Sequence, residues 1–214
     1  MLLWAFQDVR HVKSRNTLLA TNGRTLGIAG CSSQFALGPV GDESNSAKCI
    51  TAQLLMDSNR FQIRSAKPAE HRCLSDLGMR SKKVWGYGDA MMARFRRELT
   101  LSARYVDENE VRVAVMERNI VAYASLTYCG NRVTELEHLF VDPDYMNHGI
   151  GTALFQDAIR LTTAAGNSKL VIQCDPNAIG FYERQGLRVT KFIPSSVAGR
   201  SIPFFEHALE CDQS

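Results

Sequence analysis

The chain has 214 residues, of which 45% are hydrophobic and 22% charged, with a formal net charge of +3. Such a chain buries one ordinary core rather than two large ones, and no apolar run nears the roughly 18 residues that a spanning helix needs, so a disordered, collagenous or integral membrane protein is not expected. Residues 1–55 hold five bases and three acids, leaving 20 bases and 19 acids interspersed beyond them, and nothing in that balance asks for nucleic acid.

Residues 1–55 follow neither a 3.6 nor a 2.0 period, and Ala20 to Asn45 is crowded with Gly, Ser, Thr and Asn. They read as a leader with little stable structure. Three origins are open: sequence upstream of a true start at Met56, a disordered tail, or a mitochondrial-type transit peptide without a clean amphipathic helix. The domain is expected over 56–214.

Regular patterning begins at Phe61, where Phe61 to Arg64 alternates as a short strand. Pro68 opens a helix through Leu77 that Gly78 is expected to stop, and Tyr87 to Leu99 forms a second, with Met91, Met92, Phe95 and Leu99 on its apolar stripe. Val111, Val113 and Val115 alternate with Arg112 and Ala114. Ile120 to Tyr128 and Val133 to Val141 continue as strands, with Arg118-Asn119 and Gly130-Asn131 as the turns of an antiparallel meander. Thr152 to Ala165 is a helix ended by Gly166-Asn167, Lys169 to Cys174 a β-branched strand, and Asn177 to Arg184 a helix stopped by Gly186. Leu187 to Ile193 and Phe204 to Leu209 close the chain as strands. The expected order is β-α-α-β-β-β-α-β-α-β-β, an α/β fold.

Six scattered cysteines form no Cys-x-x-Cys pair and have no histidine at zinc-finger spacing. Free thiols in a reducing cytoplasm and no metal are therefore expected.

The strongest chemical signal is Asp142-Pro143-Asp144-Tyr145-Met146-Asn147-His148-Gly149-Ile150-Gly151-Thr152, a strand running through a glycine loop into a helix. Free amides at a helix N-terminus attract anions, and glycines let phosphate oxygens approach the backbone. Leu154 at the third glycine position rules out the dinucleotide fingerprint, and no Gly-Lys-Ser/Thr follows.

That loop, the strand Leu136 to Val141 before it, and Asp175-Pro176-Asn177-Ala178 followed by Phe181-Tyr182-Glu183-Arg184-Gln185-Gly186-Leu187 together resemble the GCN5-related N-acetyltransferases, over Phe61 to Glu210. The resemblance implies a mixed, centrally splayed sheet and acetyl-CoA as co-substrate. It implies pantothenate against the backbone of Leu139, Phe140 and Val141, and pyrophosphate on the loop Met146, Asn147, His148, Gly149, Ile150, Gly151 and Thr152. Asn177 is then a cofactor contact, and Tyr182, also beside the cofactor, the acid at the departing thiolate. Met146 stands where the family usually has Gln or Arg, which removes one side-chain phosphate contact. The family's C-terminal strands often pair across a dimer, which leaves a homodimer open.

Attack on a thioester needs a neutral amine, so a base must take a proton from a group whose ordinary pKa is about 10.4. Glu135 and Glu137, two residues apart, share one strand face and are the candidates, with His138 expected on the other. Glu135 matches the glutamate base of the family's histone-acetylating members. Trp85 and Tyr87, flanked by glycines, form either an aromatic lid over the acceptor or anchors for their loop. The expected activity is acetyl transfer to a primary amine of a small molecule or peptide by direct attack. The alternative is a catalytically silent acyl-CoA-binding or partner-binding module.

Overall fold

The computed structural model describes residues 61–195, 197 and 199–209; the expected leader and Met56 lie outside them. Seven strands form one sheet: β1 (Gln62–Ser65), β2 (Glu110–Met116), β3 (Asn119–Gly130), β4 (Val133–Val141), β5 (Lys169–Gln173), β6 (Val189–Pro194) and β7 (Ser201–Ala208). Their order is β1-β2-β3-β4-β5-β7-β6, antiparallel throughout except for the parallel pair β4–β5. This is the expected mixed α/β sheet. The first meander turn has left-handed backbone at Glu117 and Arg118, one residue earlier than the sequence suggests.

Helices cover both faces. On one, α1 (His71–Lys83), α2 (Asp89–Glu98) and α3 (Ala103–Glu108) bury Leu74, Leu77, Phe95 and Val106; on the other, α4 (Ile150–Ala164) and α5 (Ile179–Arg184) bury Leu154, Phe155 and Tyr182. Full burial of a side chain such as Leu74 contributes about 1.5–3 kcal/mol. None of the described helices is long and apolar enough to cross a membrane.

Two expectations about the helices are corrected. Gly78 does not end the first helix, which follows a 3-10 turn at Pro68–Glu70 and runs on to Lys83. Its lack of a side chain serves packing instead: a Cβ there would lie 2.9 Å from Tyr123 Oη and 3.7 Å from Phe140. The element order also gains α3, whose six residues are too few to show a period; its local mark is Ser102, whose side chain caps Tyr105 N–H at 3.0 Å.

The sheet splays at its centre. β4 pairs with β5 only from Val133–Lys169 to Leu136–Ile172, whereas its pairing with β3 continues to Val141. The register against β3 jumps from Leu126–Leu136 to Ser125–His138, which leaves Glu137 as the extra residue of a β-bulge. The bulge and the splay start together, so β4 bends away from β5 at Glu137.

The bulge also overturns the expected side-chain alternation. Leu136 packs with α4, while Glu137 and the next residue, His138, both reach Tyr105 of α3. Glu137 and His138 therefore share a face.

Candidate active site

The splay opens a cavity of about 630 Å³ that runs from the loop before α4, along β4, to α1, α2 and Arg200. Asp142 N–H donates to Val121 O at 2.8 Å, so by strand alternation the N–H and C=O of Leu139 and Val141 point into the gap, and those of Phe140 point toward β3. Phe140 presents its ring to the cavity instead, tilted at 42° to Tyr123 with the ring centroids 5.5 Å apart.

At one end the chain turns into α4 through left-handed backbone at Asn147 (φ 64) and Gly149 (φ 77). The first bond along the helix runs from Ala153 N–H to Gly149 O at 3.0 Å, leaving the amides of Ile150, Gly151 and Thr152 without helical acceptors. No atom lies within 4 Å of where a Gly149 side chain would begin, so a ligand can approach this backbone. Gly151 differs, because a Cβ there would meet Phe181 at 3.3 Å and Val141 at 3.4 Å; it lets α4 and α5 close on β4. Met146, on the cavity wall, gives its carbonyl to His148 Nδ1 at 2.8 Å, and Ile150 is buried beneath the turn. An acyl-CoA fits this arrangement: open amides for its phosphates, a strand edge for its amide-bearing arm and a gap leading past Tyr182.

Tyr182 is 4% exposed, its ring against Phe155, Phe181 and Phe205, and it borders the cavity. Burial, reinforced by the nearby Cys174 thiol, pushes its phenol well above the usual value, so it keeps its proton. Asn177 lies on the same wall, its amide donating to Asp175 Oδ1 and to Tyr87 Oη, each at 3.1 Å.

The two glutamates part company. Glu135 does not itself line the cavity; beside the paired stretch of β4 and β5, its Oε1 accepts at 3.0 Å from Nε2 of Gln173, which does. Glu137 borders the cavity, and its Oε2 accepts from Tyr105 Oη at 2.8 Å and Thr127 Oγ1 at 2.9 Å.

On the acceptor side, Tyr87 is an anchor, its hydroxyl 2.8 Å from Asp175 Oδ1, whereas Trp85 stays 40% exposed at the cavity rim. Asp175 also takes Lys82 Nζ at 2.5 Å and Arg200 Nη2 at 2.9 Å. Burial raises the Asp175 carboxyl, but Lys82, the Asn177 N–H and Tyr87 outweigh it and hold the group below the usual carboxylate range.

Two sets of contacts escape the sequence. Asp175 stands in the motif that carries the resemblance, but its pairing with Lys82 and Arg200 from two other segments has no local sign, and Tyr105 lies on the short α3. Ser102 was the one local signal for α3.

Comparisons with known proteins agree with this geometry. The family model described as "Acetyltransferase (GNAT) family" matches residues 76–187, just over half the chain. The chain is 33% identical over 132 residues to peptidyl-lysine N-acetyltransferase YjaB of Salmonella typhimurium, covering 61% of this chain and 85% of that protein. It is 25% identical over 99 residues to glucosamine 6-phosphate N-acetyltransferase of Trypanosoma brucei brucei, covering 46% and 67%. Among solved structures, PaiA N-acetyltransferase from Thermoplasma acidophilum in complex with coenzyme A aligns with TM-score 0.58 at 18% identity, over 69% of this chain and 98% of that one. A GCN5-related N-acetyltransferase from Rhodopseudomonas palustris aligns with TM-score 0.61 at 18% identity, over 69% and 95%. At such identity these two structures speak for the fold.

Proposed function

Since the chain belongs to the GNAT acetyltransferase family and is an acetyl-CoA-dependent N-acetyltransferase, we propose that it transfers acetyl to a primary amine of a small molecule or peptide by direct attack in a ternary complex. The observation that carries this reading is the continuity of one cavity from the open amides at the start of α4, past Tyr182, to the acceptor side at Lys82 and Trp85. Both partners then meet in one space without a covalent relay.

When bound, acetyl-CoA supplies an activated acyl carbon and a thiolate leaving group. The amides of Ile150, Gly151 and Thr152 bind its pyrophosphate, assisted by the dipole of α4. Loss of a side-chain contact at Met146 weakens this end without abolishing it. Leu139 and Val141 hold the pantetheine arm by backbone pairing, and Asn177, fixed by Asp175 and Tyr87, borders the same arm. Tyr182 donates its hydrogen bond to the sulfur; a phenol kept this firmly protonated serves better as a standing donor than as a source of a free proton. Glu137 supplies the negative charge toward which the amine's proton is drawn, and Glu135 braces the strand pair through Gln173. Six scattered cysteines without a Cys-x-x-Cys pair support a reducing, cytoplasmic setting.

The test is calorimetric titration with acetyl-CoA and with CoA, followed by thiol release in the presence of a lysine-containing peptide and of glucosamine 6-phosphate. Binding together with amine-dependent release of one thiol per acetylated amine is the expected result. Binding without release with either amine would overturn transfer to these two acceptor classes.

A further inference from the structure

We propose that the imidazole of His138 takes the proton from the attacking amine, and that Glu137 acts on it from a distance through Tyr105 and Ser125. This rests on the acetyl-transfer reading above and names the base for that site.

Counting protons sets the direction of every bond in the cluster. Tyr105 Oη lies 2.8 Å from Glu137 Oε2, 3.0 Å from Ser125 Oγ and 3.3 Å from His138 Nδ1. A phenol has one proton and an ionised carboxylate only accepts, so Tyr105 donates to Glu137 and can only accept from the other two. Ser125 then donates to Tyr105 and has its lone pairs left for His138 Nδ1–H, 2.7 Å away. The chain reads His138 Nδ1–H to Ser125 Oγ–H to Tyr105 Oη–H to Glu137. It selects the tautomer that leaves a lone pair on Nε2.

Nε2 has no hydrogen-bond partner among the described residues, and the side chain is buried, with 9% of the residue exposed. His138 borders the cavity at the point where β4 leaves β5. The bulge at Glu137 is what turns His138 onto the acceptor face. Glu137 Oε2, by contrast, already accepts from Tyr105 Oη and lies 2.9 Å from Thr127 Oγ1, whose one proton is shared between it and Asn109 Oδ1 at 3.3 Å.

The groups facing the imidazole come from four strands and helices, Glu137 on β4, Tyr123 on β3, Tyr105 on α3 and Lys82 on α1, the last with its partner Asp175 just beyond β5. Burial lowers the imidazole, Glu137 opposes that and Lys82 adds to it, with a net direction downward. The ring is thus neutral near pH 7 and ready to accept. The amine reacts in its neutral form, its ammonium proton already given up to solvent; its nitrogen bonds to the acetyl carbon, the C–S bond breaks with its electron pair on sulfur, and the proton that attack releases from nitrogen moves to Nε2. His138 returns that proton to solvent and the thiolate takes one up, so the protein ends unchanged.

Long-range proton–nitrogen correlation spectra of the full chain read the tautomer directly, with His138→Gln to assign the ring. The expected spectrum shows Nδ1–H with Nε2 unprotonated, and Ser125→Ala shifts the population toward Nε2–H; an Nε2–H ring in the wild type would overturn the proposal. In turnover with acetyl-CoA and a lysine-containing peptide or glucosamine 6-phosphate, His138→Gln is expected to lower kcat about 100-fold or more, with the KM for acetyl-CoA little changed. Tyr105→Phe keeps the ring packing but cuts the link to Glu137, so the acid limb of kcat/KM moves to lower pH, which a packing role would not do. Wild-type-like turnover by His138→Gln, with the loss appearing only in Glu137→Gln, overturns the assignment of the base. If neither amine is acetylated by the wild type, the transfer reading fails at those acceptors while the tautomer still decides the geometry.

Discussion

Gly78 and Tyr123 show how one residue's identity is set from across the fold. In a helix interior, alanine is ordinarily favoured over glycine by about 1 kcal/mol. Here the added methyl would sit 2.9 Å from a fully buried phenol oxygen that itself has no hydrogen-bond partner. Gly78→Ala is therefore expected to destabilise by about 1–3 kcal/mol, the range for overpacking a tight core. Tyr123→Phe should stabilise by about 1 kcal/mol by removing a stranded hydroxyl, and should rescue Gly78→Ala when combined with it. Urea denaturation of the two single variants and the double variant checks the sign of each effect; a stabilising Gly78→Ala would mean that the helix has room there. Tyr182→Phe is the second test at this scale. Its ring contacts remain and no hydrogen bond is lost within the protein, so melting and acetyl-CoA affinity should hold while kcat falls roughly 10- to 100-fold. A parallel loss of affinity would point to packing instead.

Four separate elements meet at Asp175. It follows β5 and receives Lys82 from α1, Tyr87 from the loop between α1 and α2, and Arg200 from the segment before β7. Its depressed carboxyl makes this junction stabilising above the unfolded-state value of about 3.9, and that contribution is lost as the pH falls through the lower folded-state value. Asp175→Asn leaves Lys82 and Arg200 without their anion, and removing one partner of a buried pair costs roughly 3–5 kcal/mol. The variant should melt lower at pH 7 and lose less further stability than the wild type on acidification below pH 4; calorimetry across pH reads both. The start of α4 is the other element with a sharp expectation. Gly149 has φ 77 and open space around its missing side chain. Gly149→Val both strains that backbone and fills the approach to the amides, so acetyl-CoA affinity should drop at least tenfold in a titration. Unchanged affinity would remove the phosphate role from this turn.

For the whole molecule, the proposed seat of acetyl-CoA in the splay bridges the two parts of the sheet that β4 and β5 leave unpaired beyond Leu136. A ligand that binds only the folded state stabilises it by about 2.7 kcal/mol at one hundred times its Kd. For a domain of this size that corresponds to roughly 5–10 °C in Tm. A thermal scan with and without acetyl-CoA should show such a rise, growing with ligand concentration, and a flat response would argue that the cavity does not take it.

The strands, every helix but α3, the turn into α4 and the motif at Asp175 to Leu187 are legible in the chain alone, because periodicity, glycine punctuation and helix capping are local properties. The mixed sheet followed from the family pattern that those segments carry. Which residues stand together emerges only with the assembled fold. A one-residue bulge against β3 moved His138 onto the face of Glu137, and a strict two-residue period contains no sign of it. Tyr105 sits on a helix of six residues, too short for its pattern to stand out, yet it joins Glu137, Ser125 and His138. Gly78 resembled a helix stop until the sheet brought Tyr123 against it, and Trp85 and Tyr87, alike in sequence, separated into rim and anchor once Asp175 arrived from β5. In each case the deciding contact spans many residues of chain, and such contacts exist only after the sheet has assembled.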